Sequence, residues 1–270
     1  VSTLSAVVVR RVDRGAIAWL TLDRPEAMNA LSTHLLDELS AHVADIAADA
    51  AVRVVIVTAT GRAFCAGADL KELLGACGEL DSTRLLAFEK QAGETFARLA
   101  ALPMPVIAAL NGTTMAGGLE LALHCDLILA SDQARIGDGH INYGLLPGAG
   151  SAARLPRLIG ATRAKYLAFT GALLSAVEAQ AMGLVNEVVV AEDLLARAEE
   201  LADSMAQRSS SALRLFKQAI DDGLDQPLPY ALRLERLVTA EHLHSGDVQE
   251  GLRAFAEKRR PNFGYPAVGR

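Results

Sequence analysis

Hydrophobic and polar positions change their period along the chain, and those changes outline its elements. Val7 to Val12 and Ile17 to Leu22 read as two strands, with Asp13-Arg14-Gly15 between them as a hairpin signal. A proline-bearing loop, Asp23 to Leu31, leads to a helix capped near Ser32, in which Leu35, Leu36, Leu39, Val43 and Ile46 recur at helical spacing. Val54 to Thr58 is a continuous β-branched run, which predicts a strand buried on both faces. The small-residue loop Gly61 to Leu70 turns into a helix, Gly75 to Ser82 reads as a mobile connection, and Arg84 to Ala101 reads as a long helix. Val106 to Leu110 is the next buried strand, followed by a helix around Glu120 and a strand from Leu127 to Ala130.

Strand and helix alternate here with short links, which predicts α/β layers with parallel pairing. From Ala161 onward the pattern is almost wholly helical. Ala161 to Thr170, Ser175 to Met182, Asp193 to Arg208, Ser210 to Asp222, Pro229 to Leu243 and Asp247 to Arg259 are helix candidates, with one short strand at Val185 to Val190. There is no internal repeat or low-complexity tract, and the expected boundary lies near Asp225.

The 270 residues suffice for one large domain or a domain with a C-terminal appendage. Hydrophobic residues at 51% and charged residues at 21% fit a globular protein with a substantial core. A net charge of -6 argues against a broad nucleic-acid footprint. Cys65, Cys77 and Cys125 form no C-x-x-C pair, which favours a reducing compartment. No apolar run reaches membrane-spanning length and no signal or transit pattern opens the chain, so the expected location is the cytoplasm, without a membrane partner.

The chemistry concentrates between Asn111 and Gly150. The strand ending in Asn111-Gly112 is followed by Gly117-Gly118, and these glycines open the helix that carries Leu119, Leu121, Ala122 and Leu123. The first amides of a helix lack intrahelical acceptors and sit at the positive end of its dipole, so a glycine amide there suits a developing oxyanion. Glu120 lies one turn inside, among apolar residues, where burial raises a carboxyl pKa and makes a candidate general acid or base. The alternative is a tight turn with a first-turn glutamate favoured by the dipole.

Short stretches along nearly the whole chain carry a family resemblance. They are L-D-R-P-E-A-M-N-A-L at Leu22 to Leu31, A-F-C-A-G-A-D-L-K-E at Ala63 to Glu72, P-V-I-A-A-L-N-G at Pro105 to Gly112, and A-G-G-L-E-L-A at Ala116 to Ala122. C-D-L-I-L-A at Cys125 to Ala130, G-L-L-P-G-A-G at Gly144 to Gly150, L-I-G at Leu158 to Gly160, A-M-G-L-V-N-E-V-V at Ala181 to Val189 and E-G-L-R-A-F-A-E-K-R-R-P-N-F at Glu250 to Phe263 complete the set. In this order they resemble the crotonase superfamily, that is, the enoyl-CoA hydratase/isomerase family.

The resemblance implies a crotonase-like α/β core of repeated β-β-α turns over residues 1–200, with a helical region over residues 201–270 for oligomerisation and CoA contact. It implies a homotrimer or dimer of trimers and an acyl-CoA thioester as substrate, with coenzyme A entering as part of that substrate and no separate cofactor or metal. Two backbone amides that bind the thioester oxygen map onto Ala68 and Gly117. CoA contacts map onto Ala27, Ala66, Ala68, Asp69, Leu70 and Lys71, and Phe255 and Lys258 match positions that reach the CoA of the same or a neighbouring subunit. Glu26 stands where the family often has a basic residue.

Hydratases of this family use one glutamate that matches Glu120 and a second twenty positions later. That later position is His140 here, and Ala134 to Gly137 and Gly144 to Gly150 hold the register on both sides. An imidazole with an ordinary pKa near ~6.5 suits proton transfer at neutral pH, so His140 is the candidate for the second acid or base. The alternative is that it only shapes the acyl pocket. Asp138 and Tyr143 are weaker candidates nearby, Asp138 being suited to the turn between Gly137 and Gly139.

The expected activity is hydration of a 2-enoyl-CoA through an enolate held by the two amides. Alternatives are isomerisation, hydrolysis, C–C cleavage or decarboxylation of an acyl-CoA, or thioester binding with little turnover. Gly148 to Ala153 fits G-x-G-x-x-A but follows Leu-Leu-Pro rather than a strand, which argues against a dinucleotide site. His242 and His244 fall on different faces of a helix, which argues against a metal site, and Cys65 reads as a small buried residue.

Overall fold

A computed structural model describes residues 6–74 and 81–264. The chain begins with β1 (Val9–Arg14) and β2 (Ile17–Leu22), then α1 (Thr33–Ala47), β3 (Val54–Ala59), β4 (Ala63–Cys65), the single turn α2 (Leu70–Leu73) and α3 (Ser82–Ala100). It continues through β5 (Val106–Leu110), β6 (Thr113–Met115), α4 (Gly117–Ala122), β7 (Leu127–Ser131), β8 (Arg135–Gly137), α5 (Ser151–Ile159) and α6 (Ala161–Thr170). The remainder is β9 (Leu174–Ser175), α7 (Ala176–Ala181), β10 (Glu187–Val189), α8 (Leu194–Ala206), α9 (Ser210–Leu224), α10 (Leu228–Leu243) and α11 (Gly246–Ala256).

The strands form two sheets, ordered β1-β2-β3-β5-β7-β10 and β4-β6-β8-β9. Each of β3, β5 and β7 in the large sheet is followed at once by a short strand of the small sheet and then by helix, a β-β-α unit repeated along the chain. The large sheet is parallel except at the β1–β2 hairpin, and β4, β6 and β8 are parallel to one another.

Alternation along the central strands supplies two cores. Ile17, Trp19, Val54, Ile56, Ile107, Ala109 and Leu129 face one way and are covered by Leu194, Ala198, Ala202 and Ala206 of α8. That four-residue spacing is one stripe of a helix, and its alanines let the helix lie close to the sheet. Ala18, Leu20, Leu22, Val55, Val57, Ala108 and Leu110 face the other way, toward the small sheet, α1 and α3. Each fully buried Val, Leu or Ile contributes about 1.5–3 kcal/mol relative to exposure, so the parallel strands hold what is mounted on their ends rigidly.

Several boundaries differ from the sequence expectations. The first strand runs from Val9 to Arg14 rather than Val7 to Val12, and the turn falls at Gly15, whose φ of 60° a side chain would resist. Glu38 explains the shift, because its Oε2 accepts the amides of both Val8 and Val9 at 2.8 Å. The late strand shortens from Val185–Val190 to Glu187–Val189. Of the connection Gly75 to Ser82, residues 75–80 lie outside the described residues, while Asp81 caps α3 through the amides of Thr83 and Arg84. Helix α5 was not expected, since Pro156 lies inside it and a glycine-rich run precedes it. Strands of two or three residues in the small sheet are too short for alternation to reveal.

One close approach makes a test of this packing. A Cβ on Gly118 would lie 2.2 Å from the carbonyl oxygen of Cys65, so α4 is seated on β4 with no room for a methyl group. Gly118→Ala is expected to destabilise the fold by about 1–3 kcal/mol. Chemical denaturation would show it as a lower midpoint, and an unchanged midpoint would mean that the helix is not packed this way.

Candidate active site

The site starts from the loop before α1. Asn29 is fully buried with φ 53°, and its Nδ2 donates to the carbonyls of Thr60 and Ala63 at 2.8 and 2.7 Å. Its Oδ1 accepts the Arg24 amide at 2.8 Å, so one side chain pins the whole turn against the end of β3. Two residues on, the Leu31 amide donates to the Gly67 carbonyl and the Leu31 carbonyl accepts the Asp69 amide, both at 2.8 Å. In such a bridge neighbouring amides point to opposite sides, and the Ala68 N–H is therefore turned away from Leu31, toward the cleft.

The second amide comes from the β6–α4 junction. Ala116 adopts φ 51° and ψ -120°, a conformation that costs a non-glycine residue about 1–3 kcal/mol and persists only where its surroundings impose it. They do so here: its amide donates to Gly137 at 3.2 Å and its carbonyl accepts from Glu120 at 3.0 Å. The turn presents Gly117, the first helical residue, whose amide has no acceptor inside its own helix. A Cβ on Gly117 would fall 2.7 Å from Leu31 Cδ1 and 3.8 Å from the Ala68 nitrogen. The two amides are thus neighbours, and among the described residues neither has an acceptor.

Glu120 lies one turn further along α4 and is 3% exposed. Its Oε1 accepts the amides of Ala149 and Ser151 at 2.8 and 3.1 Å, and its Oε2 faces His140 Nε2 at 3.7 Å. Burial raises its pKa above the ordinary carboxyl value, although both amides and the nearby imidazole pull the other way.

His140 opens a 3-10 turn, His140–Tyr143, after Gly139 has reversed the chain at φ 67°. The reversal returns His140 to Asp138, so that Nδ1 lies 2.9 Å from Asp138 Oδ1. Asp138 is itself buried, and its Oδ2 accepts the Ser151 hydroxyl. Burial works against the His140 charge, but the hydrogen bond and charge of Asp138, then Glu120 and Glu89, outweigh it and hold the pKa above the ordinary imidazole value. Asp138 shows the reverse balance: burial raises its pKa, and the bonds from His140 and Ser151 more than compensate, leaving it low.

Glu120, His140, Ala68 and Gly117 line one cleft of about 690 Å3, part of it open to solvent. Its walls are apolar, from Leu70, Leu85, Phe88, Phe96, Met115 and Leu145, and Glu89 and the exposed Tyr143 also border it. Of the other residues expected at the site, Ala66 and Leu70 line this cleft. Ala27 sits in the 3-10 turn Pro25–Ala27, Asp69 pairs with Arg24 at 3.0 Å, and Lys71 is exposed on α2; none of the three lines the cleft. Phe255 and Lys258 do not reach the cleft of their own chain, and the Phe255 side chain is 84% exposed.

The sequence makes Asp138 only a weaker candidate suited to a turn, and does not single out Ser151 or Glu89. The spacing Asp138-Gly139-His140 carried a usable signal, because a glycine between two such residues lets them fold back on each other. Nothing in the sequence ties Ser151 to Asp138. His124 is another buried histidine, yet its Nδ1 is 2.8 Å from the Glu120 carbonyl and burial pushes its pKa down to about 4, so it is a neutral packing residue.

Comparison with known proteins identifies the family. The model of the enoyl-CoA hydratase/isomerase family matches residues 13–266. YngF of Bacillus subtilis, provisionally named an enoyl-CoA hydratase/isomerase, is 43% identical over 90% of this chain and 93% of its own length. A short-chain-enoyl-CoA hydratase of Clostridium acetobutylicum is 37% identical over 91% of this chain and 93% of its own. The crystal structure of an enoyl-CoA hydratase from Bacillus anthracis superposes with a TM-score of 0.91 at 38% identity, covering 96% of this chain and all of the other. With the repeated β-β-α units, the C-terminal helices and the family model spanning most of its length, the chain belongs to the enoyl-CoA hydratase/isomerase family and has its crotonase fold.

Proposed function

We propose that the protein hydrates 2-enoyl-CoA thioesters, with Glu120 and His140 as its acid–base pair. The observation that carries this reading is the placing of these two side chains 3.7 Å apart beside the neighbouring amides of Ala68 and Gly117. The thioester oxygen accepts from both amides. Ionised Glu120 takes a proton from water as the water oxygen bonds to C3 of the enoyl group. Electrons move onto the thioester oxygen, and the enolate charge is met by the two N–H groups. Protonated His140 then gives its Nε2 proton to C2, which restores the carbonyl and completes the addition of one water. Glu120 is left protonated and His140 neutral, and the short separation between them lets the proton return without passing through bulk solvent.

The apolar walls suit an acyl chain, and the coenzyme A portion lies across the mouth of the cleft. Ala27, Ala66, Ala68, Asp69, Leu70 and Lys71 form its near side, with Lys71 free to reach a phosphate. Phe255 of α11 and Lys258 in the turn just beyond its end complete this side from the same or a neighbouring subunit. No separate cofactor or metal enters the scheme. A trimer or dimer of trimers is supported by the apolar side chains that the C-terminal helices leave exposed, among them Phe216, Leu224, Leu228, Leu237 and Phe255. Light scattering is expected to give a multiple of three of the 28.5 kDa chain, and a monomer would overturn this assignment.

With crotonyl-CoA and longer or branched 2-enoyl-CoAs, loss of the conjugated-thioester absorbance is the direct test. Glu120→Gln and His140→Ala are each expected to lower kcat/KM about 10²–10⁴-fold. A wild-type protein inert on every enoyl thioester would refute hydration, and full activity in His140→Ala would reduce that residue to a pocket wall.

The dependence on pH has a definite sign. The reaction needs Glu120 ionised and His140 protonated. Activity should therefore fall on the acid side above the ordinary glutamate value, because burial raises the Glu120 pKa. On the alkaline side it should persist above the ordinary imidazole value, because the surrounding carboxylates outweigh burial at His140. A kcat/KM profile flat across both regions would contradict these roles.

A further inference from the structure

Four residues, the acid–base pair with Asp138 and Ser151, close into a ring through three side-chain contacts and one backbone amide. Glu120 Oε2 faces His140 Nε2 at 3.7 Å, and His140 Nδ1 meets Asp138 Oδ1 at 2.9 Å. Asp138 Oδ2 accepts the Ser151 hydroxyl, and the Ser151 amide returns to Glu120 Oε1 at 3.1 Å. The members come from separate parts of the chain: α4, the end of β8 and the start of α5. The side chains of Asp138 and His140 are only 5% and 11% exposed.

An ionised carboxylate accepts hydrogen bonds and cannot donate them. Asp138 already receives the Ser151 hydroxyl on one oxygen, and its other oxygen receives the His140 backbone amide at 3.4 Å as well as the ring. The ring nitrogen facing it must therefore carry hydrogen, which leaves Nε2, the atom aimed at Glu120, as the one that gains and loses a proton. We propose that Asp138 is a positioning residue: it fixes His140 in the Nδ1–H form with Nε2 toward the cleft, and its negative charge makes the imidazolium the form that meets the substrate. Ser151 fixes Asp138 in turn.

The charged and titratable groups that face His140 are Glu120 from α4, Asp138 from the end of β8 and Glu89 from α3, with Tyr143 bordering the same cleft from the turn that His140 opens. Asp138 is the one among these in hydrogen-bond contact with the ring, so removing its charge alone should move the His140 titration. The inference rests on the proposed acid role of His140, but its physical core concerns a tautomer and a titration that can be read without substrate.

The test is nitrogen NMR of the intact protein labelled in histidine, with the His140 signals identified by their loss in His140→Gln. The wild type is expected to show the Nδ1–H tautomer at high pH. Asp138→Asn, which keeps an acceptor and removes the charge, should lower the His140 midpoint by about 1–3 pH units. With crotonyl-CoA the same variant should lose kcat far more than it changes KM, with the alkaline limb moved down by the same shift.

An Nε2–H tautomer in the wild type would overturn the proposal, and that measurement stands even if Asp138→Asn does not fold. So would an unmoved midpoint in a folded Asp138→Asn. Should the wild type turn over no enoyl-CoA, hydration fails as the function while the tautomer and midpoint still decide the role of Asp138.

Discussion

A carboxylate kept in a nearly dry pocket needs donors that cannot move away, and the structure around Glu120 follows from that need. Its donors are backbone amides at Ala149 and Ser151, which no rotamer change can withdraw. To bring them there, the segment before α5 must run tightly between α3 and α4. Gly148 passes where a Cβ would touch the Glu89 side chain at 2.5 Å, and Gly150 turns at φ 121° against His124. Gly148 and Gly150 of the G-L-L-P-G-A-G stretch therefore serve Glu120, by letting a backbone reach it.

The proposed oxyanion site depends on the same economy of side chains. Ala116 bears a strained turn, Gly117 leaves the cleft open, and Gly118 lets α4 sit on β4. Strain of this kind persists only where flanking elements are more costly to move than the turn itself. β5 precedes the turn and is fully buried along its length, paired with β3 and β7 in the parallel sheet. The large sheet thus sets the precision of the Gly117 amide, which lies outside it. Asn29 does the equivalent for Ala68, from a loop that contributes only bridging hydrogen bonds to the sheets.

Much of this was legible in the sequence, and the reasons are specific. The β-branched run at Val54, the apolar run at Val106 and the periodic helix from Leu35 to Ile46 encode burial directly, and these elements stand where the pattern placed them. Glu120 was legible because a carboxylate among apolar residues behind glycines needs an explanation. The small sheet was not legible, since its strands are two or three residues long and exist through pairing with distant partners. For the same reason the contact between Ser151 and Asp138 could not be read from residues thirteen positions apart. The positive φ of Ala116 also left no mark, because alanine carries no preference for that conformation.

A histidine at position 140, where the family resemblance implies a second glutamate, alters the electrostatics of the site in a way that geometry alone would conceal. Two carboxylates sharing a dry site cannot both be ionised at little cost, so one must hold a proton and act as a neutral acid. Here the proposed second acid is an imidazole between Asp138 and Glu120, 2.9 Å from one and 3.7 Å from the other. Both carboxylates can then be ionised while His140 carries the positive charge, and the donor of the proton is a cation. As electron density moves onto the thioester, an imidazolium near C2 is attracted to the forming enolate, whereas a neutral carboxylic acid offers only its dipole. Asp138 balances that advantage by holding the proton more firmly on the ring. In the proposed mechanism, proton delivery to C2 is therefore set by the competition between the enolate and a buried aspartate for the same imidazolium.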